Sequence, residues 1–571
     1  MSWIFGFYSK GQIDTNFISQ YHPHPIKSIS TPKFYIAAGG NNNTLFYNIN
    51  NFKTNYFISG VPISEDASKF VCKNDFDAML NNDLDKLKFL NGHFCGVIIK
   101  NDSLNLFTDQ LGLREFHIYE NNSGWYFSTR LDWLFKLGNF EIDFNEFGSR
   151  WLLINQLSNK SIIKKINRLN CGASAFFKNN QCKFYENNWN PIKTKFIETE
   201  EFEYKLEKLT LLGQENNLKL SLSLSGGMDS RVLLSLLLNS KYKDWGCYIF
   251  QTDDRMDSII GEKILSEFNI SYKLFTNAAE TGNNVIHELT DYIKTTYITE
   301  SGFNSLKLMH YKLFSQDEVI IDGGFGEIWR REFLNRLYHF GKKDIENQNY
   351  EKVYNYLTNY RAEIFSEEYN SLMKKGSIKQ IEKIFNMLPS LEEIGLGNWL
   401  DLFSIKTRLV NYYAPEQARI DNYVTAYMPF AQIYLLSDLL NLPMEERMNN
   451  RLFKSIIKSK CFKLSKYNLA KGNLSYPFYF NPIMKRGYSL LYNKFNKPKP
   501  SNAYDLFLMD MKEFIFDSLQ SGSCKEYAPY NYNLISENIG SYFKGNKSKR
   551  RYVDWFLTFE IFRQILENKH L

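Results

Sequence analysis

The chain has 571 residues, of which 44% are hydrophobic and 23% are charged, and its formal net charge is +7. A chain of this length exceeds what one hydrophobic core supports, so we expect two or three domains. The composition is typical of a soluble globular protein, and the small, scattered positive charge argues against a nucleic-acid partner.

Cysteine usage and the apolar segments point to the cytoplasm. The seven cysteines are odd in number and include no Cys-x-x-Cys pair, which disfavours both a disulfide framework and a zinc site. No run of eighteen apolar residues occurs, and residues 1–7 lack the basic region and long apolar segment of an export signal. We therefore expect a cytoplasmic protein with no membrane partner.

Residues 1–195 are predicted to form an α+β domain of stacked antiparallel sheets. Short aromatic and β-branched runs, such as residues 34–38, 95–99 and 124–128, are separated by turns rich in Asn, Asp and Gly. Such runs are typical of antiparallel strands joined by short turns.

Residues 196–571 are predicted to form an α/β domain, in which helices cover a parallel sheet and extend beyond it. From about residue 200, long helical patterns alternate with short strands. Residues 220–224 alternate Leu with Ser after Lys219 and indicate a buried strand, whereas the apolar run 232–238 has helical length. The turn between them reads Ser-Gly-Gly-Met-Asp-Ser over residues 225–230.

This turn has the residues of a phosphate-binding loop. Gly226 and Gly227 allow close approach of the backbone, the N–H groups at a helix start attract anions, and Ser225 and Ser230 add hydroxyl donors. Asp229 would repel a phosphate unless a divalent cation lay between them, so we interpret it as a Mg²⁺ ligand. A strand, turn and helix with an ordinary Asp or Ser cap is the alternative.

The strand predicted at residues 245–251 extends this site. Ligands of parallel sheets bind at the carboxyl ends of the strands, so Gln251 and Thr252 should border the nucleotide together with Leu224. Three aspartates follow, at least two of which fit better as caps of the next helix: Asp253, Asp254 and Asp257.

A second turn, rich in glycine and acid, follows the strand predicted at residues 319–321. Flexible glycines suit pyrophosphate, so Gly323 and Gly324 are predicted to bind it. Carboxylates suit Mg²⁺, so Asp322 or Glu327, or both, are predicted to hold the metal with Asp229. Two arginines follow directly and are either surface charges or donors to an acidic substrate: Arg330 and Arg331.

The two turns and the segments before them resemble a known family. The first turn is similar to the pyrophosphate loop of the ATP pyrophosphatases. Four stretches match the N-terminal amidotransferase domain of asparagine synthetases, in order and ahead of the loop: residues 90–94, 109–114, 127–130 and 166–172. The chain therefore resembles the asparagine synthetase family, including β-lactam synthetases and lasso-peptide cyclases.

The resemblance implies a fold and a chemistry. The first domain would be similar to N-terminal-nucleophile hydrolases and the second to ATP pyrophosphatases. The implied cofactors are ATP and Mg²⁺, and the implied reaction cleaves ATP to AMP and pyrophosphate through an acyl-adenylate.

The sequence departs from the family in both domains. The N-terminal cysteine that would hydrolyse glutamine is replaced by Ser2, and the family's glutamine-binding segment is not evident over residues 57–63, so we interpret the glutaminase as lost. In the second acidic motif, the family's metal-binding Asp falls on Gly326 and its catalytic Glu on Gly323. Asp322 and Glu327 remain as the available acids, and Glu327 is the candidate for the catalytic one.

A later turn supplies the predicted catalytic cation. Residues 468–477 resemble the family's lysine-bearing turn, so Lys471 is predicted to stabilise charge on the α-phosphate and on the tetrahedral oxyanion. A solvated loop lysine is the alternative. The family's Glu and Arg before Pro429 are missing. Three charged residues either replace them or form ordinary ion pairs on a helix surface: Arg408, Glu416 and Arg419.

Together these features predict an amide-forming ligase. It would adenylate the carboxylate of a small molecule or peptide and transfer it to an amine without glutamine hydrolysis, as in macrolactam formation. A homodimer or a peptide-delivery partner is compatible with this function. The alternatives are an asparagine synthetase that uses ammonia or a Ser2-based glutaminase, and a non-catalytic nucleotide-binding scaffold.

Overall fold

The computed structural model describes eleven segments of the chain: residues 2–11, 18–49, 54–82, 84–216, 218–251, 256–276, 283–297, 301–315, 317–359, 361–495 and 502–567. The predictions for Thr252, Asp253 and Asp254 lie outside the described residues. Within the described segments, no helix combines the length and apolar character of a membrane span.

Two six-stranded antiparallel sheets form the N-terminal part, as predicted. One has the strand order β10-β8-β9-β1-β3-β2 and the other β12-β11-β7-β6-β5-β4. The strands are β1 (Trp3–Ser9), β2 (Lys27–Ser30), β3 (Phe34–Gly39), β4 (Leu45–Asn48), β5 (Asn55–Ile63), β6 (Asn91–Lys100), β7 (Ser103–Thr108), β8 (Phe116–Glu120), β9 (Gly124–Ser128), β10 (Ile166–Leu169), β11 (Ser174–Lys178) and β12 (Gln181–Tyr185).

The first strand shows why these sheets stack. Side chains alternate between the two faces of a strand, and β1 is buried on both. Ile4 and Tyr8 pack into the core between the two sheets, whereas Trp3, Phe5 and Phe7 pack on the opposite face against the rest of the protein. A run that is apolar at nearly every position therefore fits only an inner layer.

A five-stranded parallel sheet forms the centre of the C-terminal part, again as predicted. Its order is β15-β14-β13-β16-β17, and a separate hairpin joins β18 to β19. The strands are β13 (Lys219–Ser223), β14 (Trp245–Gln251), β15 (Tyr272–Thr276), β16 (Glu318–Ile321), β17 (Thr425–Tyr427), β18 (Leu469–Lys471) and β19 (Leu474–Tyr476). In the central strand, Leu222 pairs with Cys247 of β14 and with Ile321 of β16.

Helices surround these sheets. The α-helices are α1 (Lys73–Asn82), α2 (Leu131–Leu134), α3 (Phe144–Leu152), α4 (Thr199–Thr210), α5 (Met228–Asn239), α6 (Met256–Glu267), α7 (Asn283–Thr296), α8 (Gly302–Leu306), α9 (Asn335–Phe340), α10 (Lys342–Glu346), α11 (Tyr350–Leu357), α12 (Glu367–Met387), α13 (Leu391–Ser404), α14 (Ala414–Ile420), α15 (Ile433–Leu436), α16 (Met444–Arg447), α17 (Arg451–Cys461), α18 (Pro482–Phe495), α19 (Asn502–Asp510), α20 (Lys512–Gln520), α21 (Gly522–Lys525), α22 (Tyr532–Phe543) and α23 (Arg550–Leu566).

Shorter helical turns and one π-helix complete the part of the chain that the structure describes. The 3₁₀ turns are Asn42–Thr44, Leu84–Phe89, Phe135–Leu137, Leu212–Asn216, Lys307–Leu313, Gly326–Ile328, Pro429–Ala431, Met448–Asn450, Phe462–Lys466 and Lys547–Lys549. The π-helix spans Ile405–Tyr413 and runs directly into α14. Both α5 and α23 are buried along most of their length, which agrees with their largely apolar sequences.

A buried ionic contact joins the antiparallel sheets to the C-terminal part. Asp421, just after α14, accepts from Arg114 Nη2 at 2.7 Å and lies 2.7 Å from His93 Nε2, with all three residues buried. Beside it, the Gly92 amide donates to Gln432 Oε1 at 2.7 Å. A buried carboxylate needs such partners, because removing one partner of a buried pair leaves an uncompensated charge.

We predict that Asp421→Asn destabilises the protein by about 3 to 5 kcal/mol, because His93 and Arg114 lose the charge that they face. Burial raises the pKa of Asp421, but His93 and Arg114 outweigh it and hold this pKa below its usual range. A depressed pKa stabilises the fold above the unfolded value of about 4, and this stability is lost as pH falls through the folded value.

Thermal unfolding of the wild type and Asp421→Asn between pH 3 and 8 measures both effects. The exposed Asp517→Asn on α20 is the matched control and should leave the melting temperature unchanged. Equal melting temperatures for wild type and Asp421→Asn at pH 7 would contradict the assigned role.

Candidate functional site

The first glycine-rich turn connects the central strand to a buried helix. The strand β13 ends at Ser223, and the Leu224 amide donates to Tyr248 O of the neighbouring strand at 3.0 Å. The N-cap of α5 is Gly227, which has no side chain to accept from the N–H groups at the helix start. The alternative of an ordinary Asp or Ser cap is therefore wrong, since Asp229 lies inside the helix. The N-terminus of α5 keeps donors for an anion.

Two serines hold this turn in shape. Ser225 and Ser230 place their hydroxyl oxygens 3.1 Å apart, and Ser230 Oγ also accepts from the Ser225 amide at 3.1 Å. Ser225 Oγ accepts from the Gly227 amide at 3.2 Å. The predicted hydroxyl donors are thus brought together at one point of the turn.

The second glycine-rich turn packs directly on the first, because β16 pairs in parallel with β13. A Cβ at position 323 would lie 2.9 Å from the Ser230 amide nitrogen, and one at position 326 would lie 2.6 Å from Asp229 Cγ. Phe325 between them adopts a left-handed conformation with φ of 68°. Gly323 and Gly326 are therefore required by the close approach of the two turns.

Asp322 and Gly324 belong to the same turn. Asp322 Oδ1 accepts from the Gly324 amide at 2.5 Å, which fixes the carboxylate within its own turn. A Cβ on Gly324 would come within 2.8 Å of Met428 Sδ and 3.0 Å of Asp322 Oδ1. Gly324 therefore serves the packing of the turn, and its contact with pyrophosphate stays a prediction.

Asp229 faces an arginine that the sequence left unassigned. Arg330 Nε and Nη2 donate to the two Asp229 oxygens at 2.6 and 3.0 Å, and Arg330 Nη1 donates to Glu332. Glu332 also accepts from Asn450 at 3.0 Å, and Lys485 Nζ lies 3.9 Å from it. The four charged side chains of this group are between 14% and 20% exposed, so the group is largely buried but still reaches solvent.

These contacts shift the pKa values of Glu332 and Arg330. Burial disfavours the charged form of Glu332, but Arg330 and Lys485 outweigh it and lower the pKa of Glu332 to about 2. Burial likewise opposes the charge of Arg330, whereas Asp229 and Glu332 together raise its pKa above the usual range. Arg330 therefore carries a fixed positive charge at the start of α5.

The neighbouring Arg331 has a different environment. It is buried, lies 3.6 Å from Asp401 and stacks its guanidinium 4.8 Å from the Tyr338 ring centroid. Of the two arginines, only Arg330 contacts the predicted phosphate-binding turn, and neither is an exposed surface charge.

Glu327 is held by two groups of the π-helix. Arg408 Nε donates to Glu327 Oε1 at 3.0 Å, and the Tyr413 hydroxyl lies 2.8 and 2.9 Å from its two oxygens. Arg408 also stacks over the rings of Tyr412 and Phe333, at 4.3 and 4.5 Å from their centroids. Arg408 is thus a site residue, whereas Arg419 is buried against the Tyr292 ring.

The hairpin β18–β19 carries Lys471 to the first turn. The Ala470 amide donates to Gly226 O at 2.9 Å, and Arg231 of α5 donates to the carbonyls of Tyr467 and Asn468 at 2.8 and 2.7 Å. A Cβ on Gly226 would lie 2.7 Å from Ala470 Cβ, so only glycine permits this contact.

Lys471 itself lies exposed at the rim. Desolvation lowers its pKa, Lys485 and Arg330 add to this effect, and Glu332 opposes it. Desolvation also lowers the pKa of Lys485, Glu332 and Asp229 oppose this effect, and Arg330 adds to it. Arg330 and Lys485 therefore lie beside Glu332, and the catalytic role of Lys471 stays a prediction.

Sequence reasoning missed three residues of this group: Glu332, Tyr413 and Lys485. Tyr413 lies on a π-helix, a backbone form often found at functional sites, but the sequence does not reveal it. Lys485 lies on α18 outside every motif. Gln251, which was predicted, lies at the carboxyl end of β14, where it pairs with Thr276 of β15.

The acidic residues do not fit a shared metal ion in this arrangement. Both oxygens of Asp229 accept from Arg330, Glu327 is bound by Arg408 and Tyr413, and Asp322 closes its own turn. Among the described residues, no group of three metal-ligating side chains occurs. The metal roles predicted for Asp229, Asp322 and Glu327 remain predictions that none of these contacts supports.

The N-terminal serine is enclosed. Ser2 is fully buried, its hydroxyl donates to Thr44 O at 2.7 Å, and Ser2 Oγ lies 2.7 Å from Ser59 Oγ. The Thr44 hydroxyl donates back to Ser2 Oγ at 2.9 Å. A hydroxyl with all these partners is held inside the sheets.

Comparison with known proteins gives distant structural likenesses. No model of a known protein family matches the chain, and no curated protein matches its sequence. Glutamine phosphoribosylpyrophosphate amidotransferase from B. subtilis, complexed with ADP and GMP, is 10% identical with a TM-score of 0.24, and the match covers 58% of this chain and 77% of that one. The U34-tRNA thiolase NcsA from Methanococcus maripaludis is 14% identical with a TM-score of 0.20, covering 57% and 81%.

A structure described as the allosteric regulatory enzyme of purine biosynthesis is 11% identical with a TM-score of 0.21, and the match covers 59% of this chain and 71% of that one. Likenesses of this strength leave the function to be argued from the site itself.

We predict that Gly323→Ala destabilises the protein by about 1 to 3 kcal/mol, because the added methyl group would force the two turns apart. The affinity of the site for pyrophosphate should fall as well. Thermal unfolding and isothermal titration with pyrophosphate measure the two effects.

Gly540→Ala is the matched control. Gly540 lies in α22 with open space around its Cβ position, so alanine there should stabilise the helix by up to about 1 kcal/mol. If Gly323→Ala behaved like this control, the two turns would not pack as described.

Proposed function

We propose that the chain is an ATP-dependent carbon–nitrogen ligase that forms AMP. The observation that carries the proposal is the meeting of three segments at the start of α5: the turn 225–230, the turn 322–327 and the hairpin that bears Lys471. A substrate carboxylate attacks the α-phosphorus of ATP, pyrophosphate leaves, and an amine then displaces AMP from the acyl-adenylate.

The start of α5 supplies the pyrophosphate site of this proposal. The uncapped N–H groups, the helix dipole and the hydroxyls of Ser225 and Ser230 suit the β- and γ-phosphates. Gly226 and Gly227 let the backbone approach the oxygens, with Leu224 and Gln251 at the strand ends bordering the nucleotide. Gly323 and Gly324 keep the second turn close enough to close the site.

Cations near the start of α5 offset the negative charge that develops in the reaction. Lys471 stands at the rim beside the first turn, where an ammonium stabilises both the α-phosphate and the oxyanion that forms as the amine attacks. The catalytic role proposed for Glu327 follows from its contacts with Arg408 and Tyr413. Glu327 positions the Arg408 guanidinium and the Tyr413 hydroxyl at the edge of the site.

The proposed nucleotide is ATP, with the Mg²⁺ that accompanies it in solution. Because Asp229, Asp322 and Glu327 do not fit a shared metal in this arrangement, no step of the proposal passes through a metal held by the protein. The proposed acid and amine belong to one small molecule or peptide, as in macrolactam formation, or to two. We place this reaction in the cytoplasm.

The amine is proposed to come with the substrate or as free ammonia. The buried Ser2 hydroxyl, bonded to Thr44 and close to Ser59, supports an N-terminal domain that does not hydrolyse glutamine. That domain would instead support the ligase through contacts such as those of Asp421.

We predict that Lys471→Ala lowers the rate of ATP–pyrophosphate exchange by about 10² to 10³, the usual loss when one donor to a developing charge is removed. A panel of carboxylic acids, amino acids and short peptides would be screened with the wild type, and the best substrate used for the comparison.

Lys466→Ala is the control, because Lys466 is an exposed lysine on the same stretch of chain. Its exchange rate should equal that of the wild type. A folded protein that binds ATP but supports exchange with no acid would favour the non-catalytic scaffold over the ligase.

We predict that the protein releases no glutamate from glutamine and that Ser2→Ala leaves amide formation unchanged, because the enclosed hydroxyl cannot reach a substrate. Enzymatic assay of glutamate, with and without ATP and the acid substrate, measures the first expectation. Glutamate release that Ser2→Ala abolished would replace our proposal with a serine-based glutaminase.

A further inference from the structure

Arg330 occupies the position at Asp229 that a bound cation would need. Its Nε and Nη2 atoms donate to the two carboxylate oxygens of Asp229, at 2.6 and 3.0 Å, so each oxygen has a guanidinium partner. Glu332 holds the same guanidinium from its other end, which keeps Arg330 in place. A planar guanidinium paired with a carboxylate in this forked geometry is a strong, oriented contact.

The second turn is shaped for this pair. Gly326 lies against Asp229, and any side chain at position 326 would begin 2.6 Å from Asp229 Cγ and 2.9 Å from Asp229 Oδ1. A further carboxylate therefore cannot join Asp229 from this position without displacing the pair. Another acid of this turn, Glu327, is already bound by Arg408 and Tyr413.

Arg330 still has donors to offer. A guanidinium carries five N–H groups, and three of them serve Asp229 and Glu332, which leaves two for another acceptor. Its side chain is 17% exposed, Lys485 Nζ lies 3.9 Å from Glu332, and the charges of Arg330 and Glu332 both act on Lys471. Arg330 contacts Asp229 in the first turn of α5, and Lys471 follows Ala470, whose amide donates to Gly226 just before α5. Positive charge therefore gathers near helix N–H groups that also attract anions.

We propose that Arg330 takes the place of a protein-held metal ion in this site. Its guanidinium neutralises Asp229 and, with Lys471 and Lys485, holds the triphosphate of ATP, so that nucleotide binding requires no metal bridge to a carboxylate. The inference rests on the proposed function. It adds that the positive charge that lets a phosphate approach Asp229 comes from the Arg330 side chain and not from a bound metal ion.

The test compares ATP binding in excess EDTA with binding in excess Mg²⁺ by isothermal titration. For the wild type, EDTA should weaken binding by less than about tenfold, because the compensating charges are side chains. For Arg330→Ala, EDTA should weaken binding by more than about tenfold, because Asp229 then repels the triphosphate unless Mg²⁺ lies between them.

Removing the Asp229 carboxylate as well completes the cycle. In EDTA, the double variant Arg330→Ala with Asp229→Ala should bind ATP more tightly than Arg330→Ala alone, since no uncompensated charge remains. Arg330→Gln, which keeps size and hydrogen bonding without the charge, replaces Arg330→Ala if that variant does not fold. Arg551→Ala, at an exposed arginine of α23, should behave as the wild type in both buffers.

A loss of tenfold or more for the wild type in EDTA, or equal metal dependence of the wild type and Arg330→Ala, overturns the inference while leaving the ligase proposal standing. A folded wild type that binds ATP in neither buffer overturns both. The two failures are therefore distinguishable in one experiment.

Discussion

The parallel pairing of β13 with β16 is the constraint on which the site depends. Leu222 lies opposite Ile321, so both strands end at the same edge of the sheet, and the turns that follow them must meet there. The meeting is close enough that Gly323 touches the backbone of Ser230 and Gly326 touches Asp229. Two turns separated by nearly one hundred residues act as one surface because neighbouring strands carry them.

The charges around Arg330 are balanced within the protein. Asp229 and Glu332 lie on either side of Arg330, and Lys485 approaches Glu332 from α18. Two partly buried carboxylates this close would disfavour each other's ionisation if no cation lay between them. With Arg330 in place the group is ordered, and the lysines leave a surplus of positive charge facing the helix start.

The antiparallel sheets contribute to this site indirectly. They carry His93 and Arg114 to Asp421, and Arg168 to Asn411 of the π-helix that also presents Arg408 and Tyr413. The π-helix is thus held from one side by the sheets and from the other by Glu327. These contacts tie the N-terminal part to the helix that binds Glu327, and the Ser2 hydroxyl of that part is enclosed.

The two layers of the fold and the first turn were predictable from the sequence, because they rest on local patterns. Alternation in β1, the Leu and Ser repeat of β13 and the Ser-Gly-Gly-Met-Asp-Ser turn each depend on neighbours in the chain. The pairing of Asp229 with Arg330, and of Glu327 with Arg408 and Tyr413, joins residues far apart in sequence. No local pattern specifies which distant cation meets a given carboxylate.

The sequence by itself therefore determined the fold class, the likeness of the first turn to a pyrophosphate loop and the residues that bear charge. Only the tertiary structure decided which charges compensate one another, because strand order and helix packing set those distances. For this reason Asp229, interpreted from sequence as a metal ligand, is paired with the Arg330 guanidinium in the structure. For the same reason the sequence did not predict that Lys485 and Glu332 belong to the site.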